Sequence, residues 1–407
     1  MGCGHAPRHI ETPPVESPAS SPLREAKPLR APEVERQVIP LLQKRFGIHS
    51  PDELRRAIER VEPSEGNVSH AWLLSWLKDF PGELEVQQHI LEEQPDNLDA
   101  LMSVAALQMA LNQWEAAWAT LQRGHEGMRD WESRDGTGNI GHIYSGRCWV
   151  LLREGKYEEA RQACETAIQR GSLGQGNLRL AKVWIALGDY EKAQKHIQAA
   201  LRSKTLTHGH PHYALGIALA GLGRLKEARG AWGQSLKLDP GFGAPVLGLM
   251  GQKLEPLELL KAEQWFNRLS IARALAWCGH FYLELELPER AARCFEAADR
   301  LQPAISDVQR LAHQAETDPQ GALLAAEALR NKHHHPDLFV LMATLHLEAG
   351  RPLEALRWSR FGLSLDPANV QAHQLQLDSC LAAGEPNCTS FLPLKPSRPA
   401  PAPGSIP

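Results

Sequence analysis

No stretch of the 407 residues approaches the roughly 18 uninterrupted apolar residues that a bilayer-spanning helix needs, and no basic-then-apolar leader stands at the start as written. Dense Lys/Arg blocks interleaved with aromatic residues are also missing. With 44 basic residues against 48 acidic ones and a formal charge of −4, the chain lacks the footprint of a nucleic-acid binder. The GxSxG elbow, HExxH and the P-loop are absent, which removes the common hydrolase and NTPase chemistries. No segment reads convincingly as a strand.

What is present is helical. Hydrophobic residues at 43% and charged residues at 23% suffice to fold and to stay soluble. Residues 1–31 are rich in Pro, Ser and Glu without an apolar period and read as a disordered tether, and residues 385–407 read as a disordered Pro-rich tail. Residues 32–63 form an N-terminal helical pair, whose second helix opens with Ser50, Pro51 and Glu53, a capping-box arrangement with Pro in the first turn. Over residues 64–367 one skeleton recurs, and residues 368–384 read as a capping helix over its last open face.

The clearest copy is HYALGIALAGLGRLKEARGAWGQSLKLDP: Leu215 and Gly216 on a first helix, Gly223 at the turn, Ala228 and Trp232 on a second, Pro240 at the stop. Gly155, Tyr157 and Ala160 repeat it, as do Gly188, Tyr190, Ala193 and Ala200. Gly279, Tyr282, Ala291, Phe295, Ala298 and Pro303 do so with Glu286 replacing the turn glycine, and Ala343, Gly350, Ala355 and Pro367 close the series. Small residues let paired helices approach, a larger one fills the hole beside them, and Gly or Pro sets the turn. Weaker copies begin near Ser64, Leu98, Ala244 and Ser306, and residues 125–140 read as one greatly lengthened junction.

This pattern resembles the tetratricopeptide repeat, whose unit is about 34 residues of helix, turn and helix. The resemblance implies an all-α, right-handed superhelical solenoid that binds a protein or peptide ligand in a concave groove lined by the first helix of each repeat. It implies a scaffold or adaptor and no enzyme, and no cofactor, metal or nucleic acid is expected. Repeat register turns Trp149, Arg179, Lys182, Tyr213, Ile217, Trp277 and His280 toward that groove, where aromatic and Arg side chains make good anchors. Packing between neighbouring repeats is the competing role for Trp149 and Ile217. The Lys and Asn set with which co-chaperone members hold a terminal carboxylate is absent.

GTGNIG at residues 136–141 fits a dinucleotide-binding glycine pattern, but a helix rather than a strand precedes it, so it reads as an inter-repeat loop. His208, His210 and His212, and again His333, His334 and His335, cluster at junctions without a thiolate or acidic partner at ligand spacing, and read as solvated loop residues.

Cys148 and Cys164 lie symmetrically about the turn at Lys156, Cys278 and Cys294 about Glu286, and Cys380 and Cys388 form a local pair. Disulfides in an oxidising compartment and free small core residues are the two readings. Cys3, in MGCG ahead of the tether, resembles the mature start of a bacterial lipoprotein, a reading that requires a signal segment upstream of Met1. Gly4 lacks the Asp that retains such proteins at the inner membrane. The expectation is therefore a lipid-anchored adaptor on the periplasmic face of the outer membrane, resembling the repeat lipoproteins that help assemble pilus, secretion or polysaccharide-export machines. The alternatives are myristoyl on Gly2 with palmitoyl on Cys3, a cytoplasmic scaffold, and a regulatory subunit of a separately encoded enzyme.

Overall fold

A computed structural model describes residues 39–59, 68–131, 139–239, 242–249, 255–385 and 388. All regular elements among them are helices apart from a single 3-10 residue at Cys388. Helices α1 (Ile39–Phe46) and α2 (Pro51–Glu59) come first. Hairpins follow: α3 (Val68–Trp76) with α4 (Phe80–Glu93), α5 (Leu98–Ala110) with α6 (Trp114–Trp131), α7 (Asn139–Arg153) with α8 (Tyr157–Gln169), α9 (Leu173–Ala186) with α10 (Tyr190–Arg202), and α11 (His210–Gly221) with α12 (Leu225–Leu238). The short α13 (Ala244–Leu249) leads to α14 (Pro256–Glu284), which pairs with α15 (Pro288–Leu301). Then come α16 (Ile305–Gln314) with α17 (Pro319–Arg330), α18 (Pro336–Glu348) with α19 (Pro352–Leu365), and the closing helix α20 (Val370–Ala382).

One turn chemistry builds the hairpins. Gly155, Gly188, Gly223 and Gly350 stand just past the first helix at φ between 70° and 79°. The next amide then reaches back into the helix, as from Lys156 N to Leu151 O, Asp189 N to Trp184 O and Arg224 N to Leu219 O. This is the Schellman stop, which satisfies helix carbonyls that have no partner of their own. Lys78, Asn112 and Glu286 take the same left-handed conformation without being glycine, at φ 61°, 61° and 59°. The absence of a turn glycine at Glu286 therefore leaves the turn geometry unchanged.

The helices approach closely where a side chain is missing. A Cβ on Gly216 would lie 2.2 Å from Trp232 Nε1, and one on Gly248 would lie 2.5 Å from Trp232 Cε3. The buried indole of Trp232 thus seats α13 against the preceding hairpin.

Three sequence expectations are revised. The long junction at residues 125–140 is mostly helix: α6 runs on to Trp131 and α7 starts at Asn139, leaving only 132–138 outside the described residues. Asn139–Gly141, the end of GTGNIG, is the first turn of α7 rather than loop, and a Cβ on Gly141 would lie 2.7 Å from Arg170 O. The copy expected near Ala244 is not a separate hairpin, because α13 has 6 residues and α14 has 29. At 1.5 Å per residue α14 is about 43 Å long, with Glu255 and Glu258 forming a reciprocal capping box at its start.

The solenoid also folds back on itself. Ile39, Leu42, Leu54, Ile58, Leu73 and Leu77 share one buried cluster with Cys278, Phe281, Tyr282 and Cys294. The Asp79 side chain, which caps α4 by accepting from Gly82 N at 2.8 Å, also accepts from the Tyr282 hydroxyl at 2.6 Å. Arg290 lies 3.4 Å from the same carboxylate and donates to Ile58 O at 2.9 Å. The first helices are thereby held against the α14–α15 hairpin.

Candidate partner-binding groove

The first helices α7, α9 and α11 stack side by side, and the N-terminal part of α14 lies across α9 and α11. At the crossing, Glu263 of α14 has no solvent exposure. Its Oε1 accepts from Lys182 Nζ and pairs with His210 Nδ1, both at 2.7 Å. Burial alone would raise this carboxyl, but the charges and hydrogen bonds of Lys182 and His210 hold it at about 2. Oε2 is buried without a hydrogen-bond partner. Around the pair, Leu259, Leu260 and Phe266 of α14 join Tyr213, Ile217 and Trp232 in a single core.

Five of the expected groove residues converge on this crossing or beside it. Tyr213 is fully buried and its hydroxyl donates to Leu259 O at 2.6 Å, while Ile217 is equally buried under α14. Lys182 is buried by Glu263. Trp149 is partly exposed, with Lys182 Nζ 5.0 Å and Arg179 Cζ 5.9 Å from its ring centroid. Arg179 donates to Ser145 Oγ at 3.0 Å, and burial lowers it to about 10.

The other two lie elsewhere. Trp277 stacks on Phe281 at 5.4 Å and packs against the cluster beneath α1–α3. His280 is buried edge-on to Phe295 at 5.2 Å, and burial lowers it to about 4. The reason is geometric: α14 is one helix in two settings, crossing α9 and α11 with its first half and joining α15 and the N-terminal helices with its second.

The histidine clusters are revised as well. His210 has a carboxylate partner brought from another helix, and His335 is buried, its Nδ1 accepting from Asp337 N at 3.2 Å to cap α18.

Sequence reasoning missed Glu263, Trp114, Arg153 and Arg268. The Arg153 guanidinium lies 4.4 Å from the Trp114 ring centroid, and no ion pair is formed by Arg153 or Arg268 among the described residues. Burial lowers Arg153, and the nearby charge of Arg268 lowers it further. Arg268 keeps its Nε buried without an acceptor. Near the Glu263 pair, partly exposed Arg153 and Arg179 lie on the indole rings of Trp114 and Trp149, and no carboxylate among the described residues pairs with them. The available signal was the break in repeat spacing between Gly223 and Glu286, which leaves room for the capped, amphipathic start of α14.

Two cysteine pairs are joined, Cys148–Cys164 and Cys380–Cys388, while Cys278 and Cys294 stand unjoined in this structure. Cys3 lies outside the described residues. Among the described residues no helix is long and apolar enough to cross a membrane.

The sequence model of the tetratricopeptide repeat family matches residues 178–241, from within α9 to just beyond α12. No curated protein matches the chain. Among solved structures, similarity extends to the APC/C hetero-tetramer Cut9-Hcn1, with 16% identity, 86% of this chain and 67% of that chain covered, and a TM-score of 0.37. YrrB, described as a TPR protein with an unusual peptide-binding site, gives 21% identity, coverage of 57% and 99%, and a TM-score of 0.30. A tetratricopeptide repeat protein from Parabacteroides merdae gives 12%, 78% and 98%, and 0.33. Residues 178–241 match the tetratricopeptide repeat, and the described residues form an all-helical solenoid like it.

Proposed function

We propose that this protein is a non-catalytic scaffold that holds an acidic segment of a protein partner against the first helices of its repeats. Tetratricopeptide repeats are a fold for protein and peptide binding, and the charge on the face beside α14 is the observation that carries the finer reading. Arg153, Arg179 and Arg268 stand there with Trp114 and Trp149, while the buried carboxylate of Glu263 is already engaged by Lys182 and His210. Arg on an aromatic floor suits carboxylates, which it meets through paired N–H donors.

The proposed setting is the cell envelope, with Cys3 as a lipid anchor, residues 1–31 as spacer, and the solenoid on the periplasmic face of the outer membrane assisting assembly of a pilus, secretion or polysaccharide-export machine. The pairing of Cys148 with Cys164 and of Cys380 with Cys388 supports an oxidising compartment. Fractionation of the natural gene product tests the anchor: Cys3→Ser moves the protein from the membrane to the soluble fraction. Unchanged fractionation removes the anchor and leaves the scaffold. A photo-crosslinking residue in place of Trp149 tests the scaffold, since it should capture a protein; recovery of RNA, or of nothing, contradicts the binding claim.

A further inference from the structure

Cys278 of α14 and Cys294 of α15 face each other across the turn at Glu286, both fully buried, with their Sγ atoms 2.9 Å apart and a sequence separation of 16. That is closer than two unbonded sulfur atoms pack. Cys148 and Cys164 straddle the turn of the α7–α8 hairpin with the same sequence separation of 16, and are joined, with Cα atoms 5.2 Å apart. A disulfide requires Cα atoms about 4.4–6.8 Å apart. The two hairpins share one turn conformation, with φ 76° at Gly155 and 59° at Glu286, but Gly279 and Phe295 hold the places of Cys148 and Cys164 there; Cys278 and Cys294 lie one residue away and meet through the packing of their own hairpin.

We infer that Cys278 and Cys294 form a third disulfide, bonded in the mature protein. Two S–H bonds break and one S–S bond forms. The two protons and two electrons pass to a disulfide oxidant, protein or small-molecule, which is reduced to its dithiol.

The surroundings fix when this happens. Exchange proceeds through a thiolate, and in the folded chain burial pushes the Cys278 thiol up. The sulfurs also lie in one cluster with Leu42, Leu54 and Leu77 of the N-terminal helices. The bond therefore forms once the α14–α15 hairpin has folded and before α1–α3 dock over it, and is then shielded from reductants.

Asp79 tolerates the change. The Cys294 thiol lies 3.7 Å from Asp79 Oδ1, and losing its hydrogen leaves that carboxylate with Gly82 N, the Tyr282 hydroxyl and Arg290. The same three side chains, Asp79, Cys278 and Cys294, place ligand atoms within 4.8 Å of one another, the spacing of a metal site. The disulfide is favoured because both Asp79 oxygens are already accepting hydrogen bonds.

The test uses the full chain expressed into an oxidising compartment, unfolded without reductant in excess N-ethylmaleimide, and mapped by mass spectrometry. The expected product has the Cys278 and Cys294 peptides linked, unalkylated and lighter by two hydrogens, beside the two linkages already described. In Cys278→Ala, Cys294 becomes alkylated while helicity by circular dichroism is retained. Alkylation of both Cys278 and Cys294 in the parent protein, with the other two pairs still linked, overturns the inference. So does one equivalent of zinc in the native protein together with alkylation of both thiols after chelation.

Discussion

Lys182 Nζ and Glu263 Oε1 lie 2.7 Å apart with almost no access to solvent, and they join two helices 81 residues apart in sequence. Removing one member of such a pair leaves an uncompensated charge in the core, at a cost of about 3–5 kcal/mol. Glu263→Ala, which strands Lys182 and His210 together, should therefore lower the thermal midpoint sharply. Lys182→Met combined with Glu263→Leu should cost less than the sum of the two single changes. Thermal melts of the two singles and the double decide it, and additivity would mean that the pair does not tie α14 to α9.

Acid should loosen the same region. Glu263 is held at about 2 against an ordinary 4.5, so its contribution is complete above 4.5 and is lost as pH falls toward 2. His70 and His280 are both lowered to about 4 from 6.5, chiefly by burial; the neutral ring is favoured in the fold, and their contribution is complete above 6.5 and lost as pH falls through 4. Glu83 runs the other way: burial raises it to about 7 from 4.5, so its contribution is complete below 4.5 and is lost as pH rises to 7. Stability measured by urea unfolding should therefore rise from acid to about pH 6.5 and stop rising there, and Glu83→Gln should steepen the rise between about pH 4.5 and 6.5.

The Cys148–Cys164 bond closes a loop of 16 residues in sequence separation. Loops of about this size gain roughly 3 kcal/mol from the cross-link. Replacing both cysteines by Ser should lower the denaturant midpoint by a corresponding amount while the helical circular dichroism spectrum keeps its shape. A midpoint equal to the parent's would mean that the bond is absent from the protein in solution.

Trp232 supplies a packing test. Gly216→Ala places a methyl group where only 2.2 Å separates it from the indole, an overpacking that costs about 1–3 kcal/mol. Adding Trp232→Leu should remove most of that penalty. A double-mutant cycle on thermal midpoints reads the coupling, and independent effects would contradict the close approach of α11 and α12.

The repeats were legible because their turns demand a left-handed residue and their helix crossings demand small ones, and Gly155, Gly188, Gly216 and Gly223 meet those demands openly. The spacing of the cysteines was legible too, but it left disulfide and free thiol both open, and Cys148–Cys164 and Cys380–Cys388 are the pairs joined. Asn112 and Glu286 take the same backbone conformation without glycine, so local chemistry hides them. The crossing of α14 over α9 and α11 was not legible. Register tells which face of a first helix points inward, but nothing local to Lys182 or Tyr213 announces that Glu263 and Leu259 will cover them.

The central claim is that the face beside α14 recognises carboxylates. Its most direct measurement is calorimetric titration of the full chain with a synthetic glutamate-rich peptide and with the same peptide carrying glutamine at each glutamate. The account predicts binding of the glutamate peptide alone, weakening as salt rises. Arg153→Ala and Arg268→Ala should each reduce affinity about tenfold, or 1.4 kcal/mol. Their melting temperatures should stay unchanged, because neither guanidinium forms an ion pair among the described residues. Equal binding of the two peptides, or arginine variants that bind as the parent does, would contradict it.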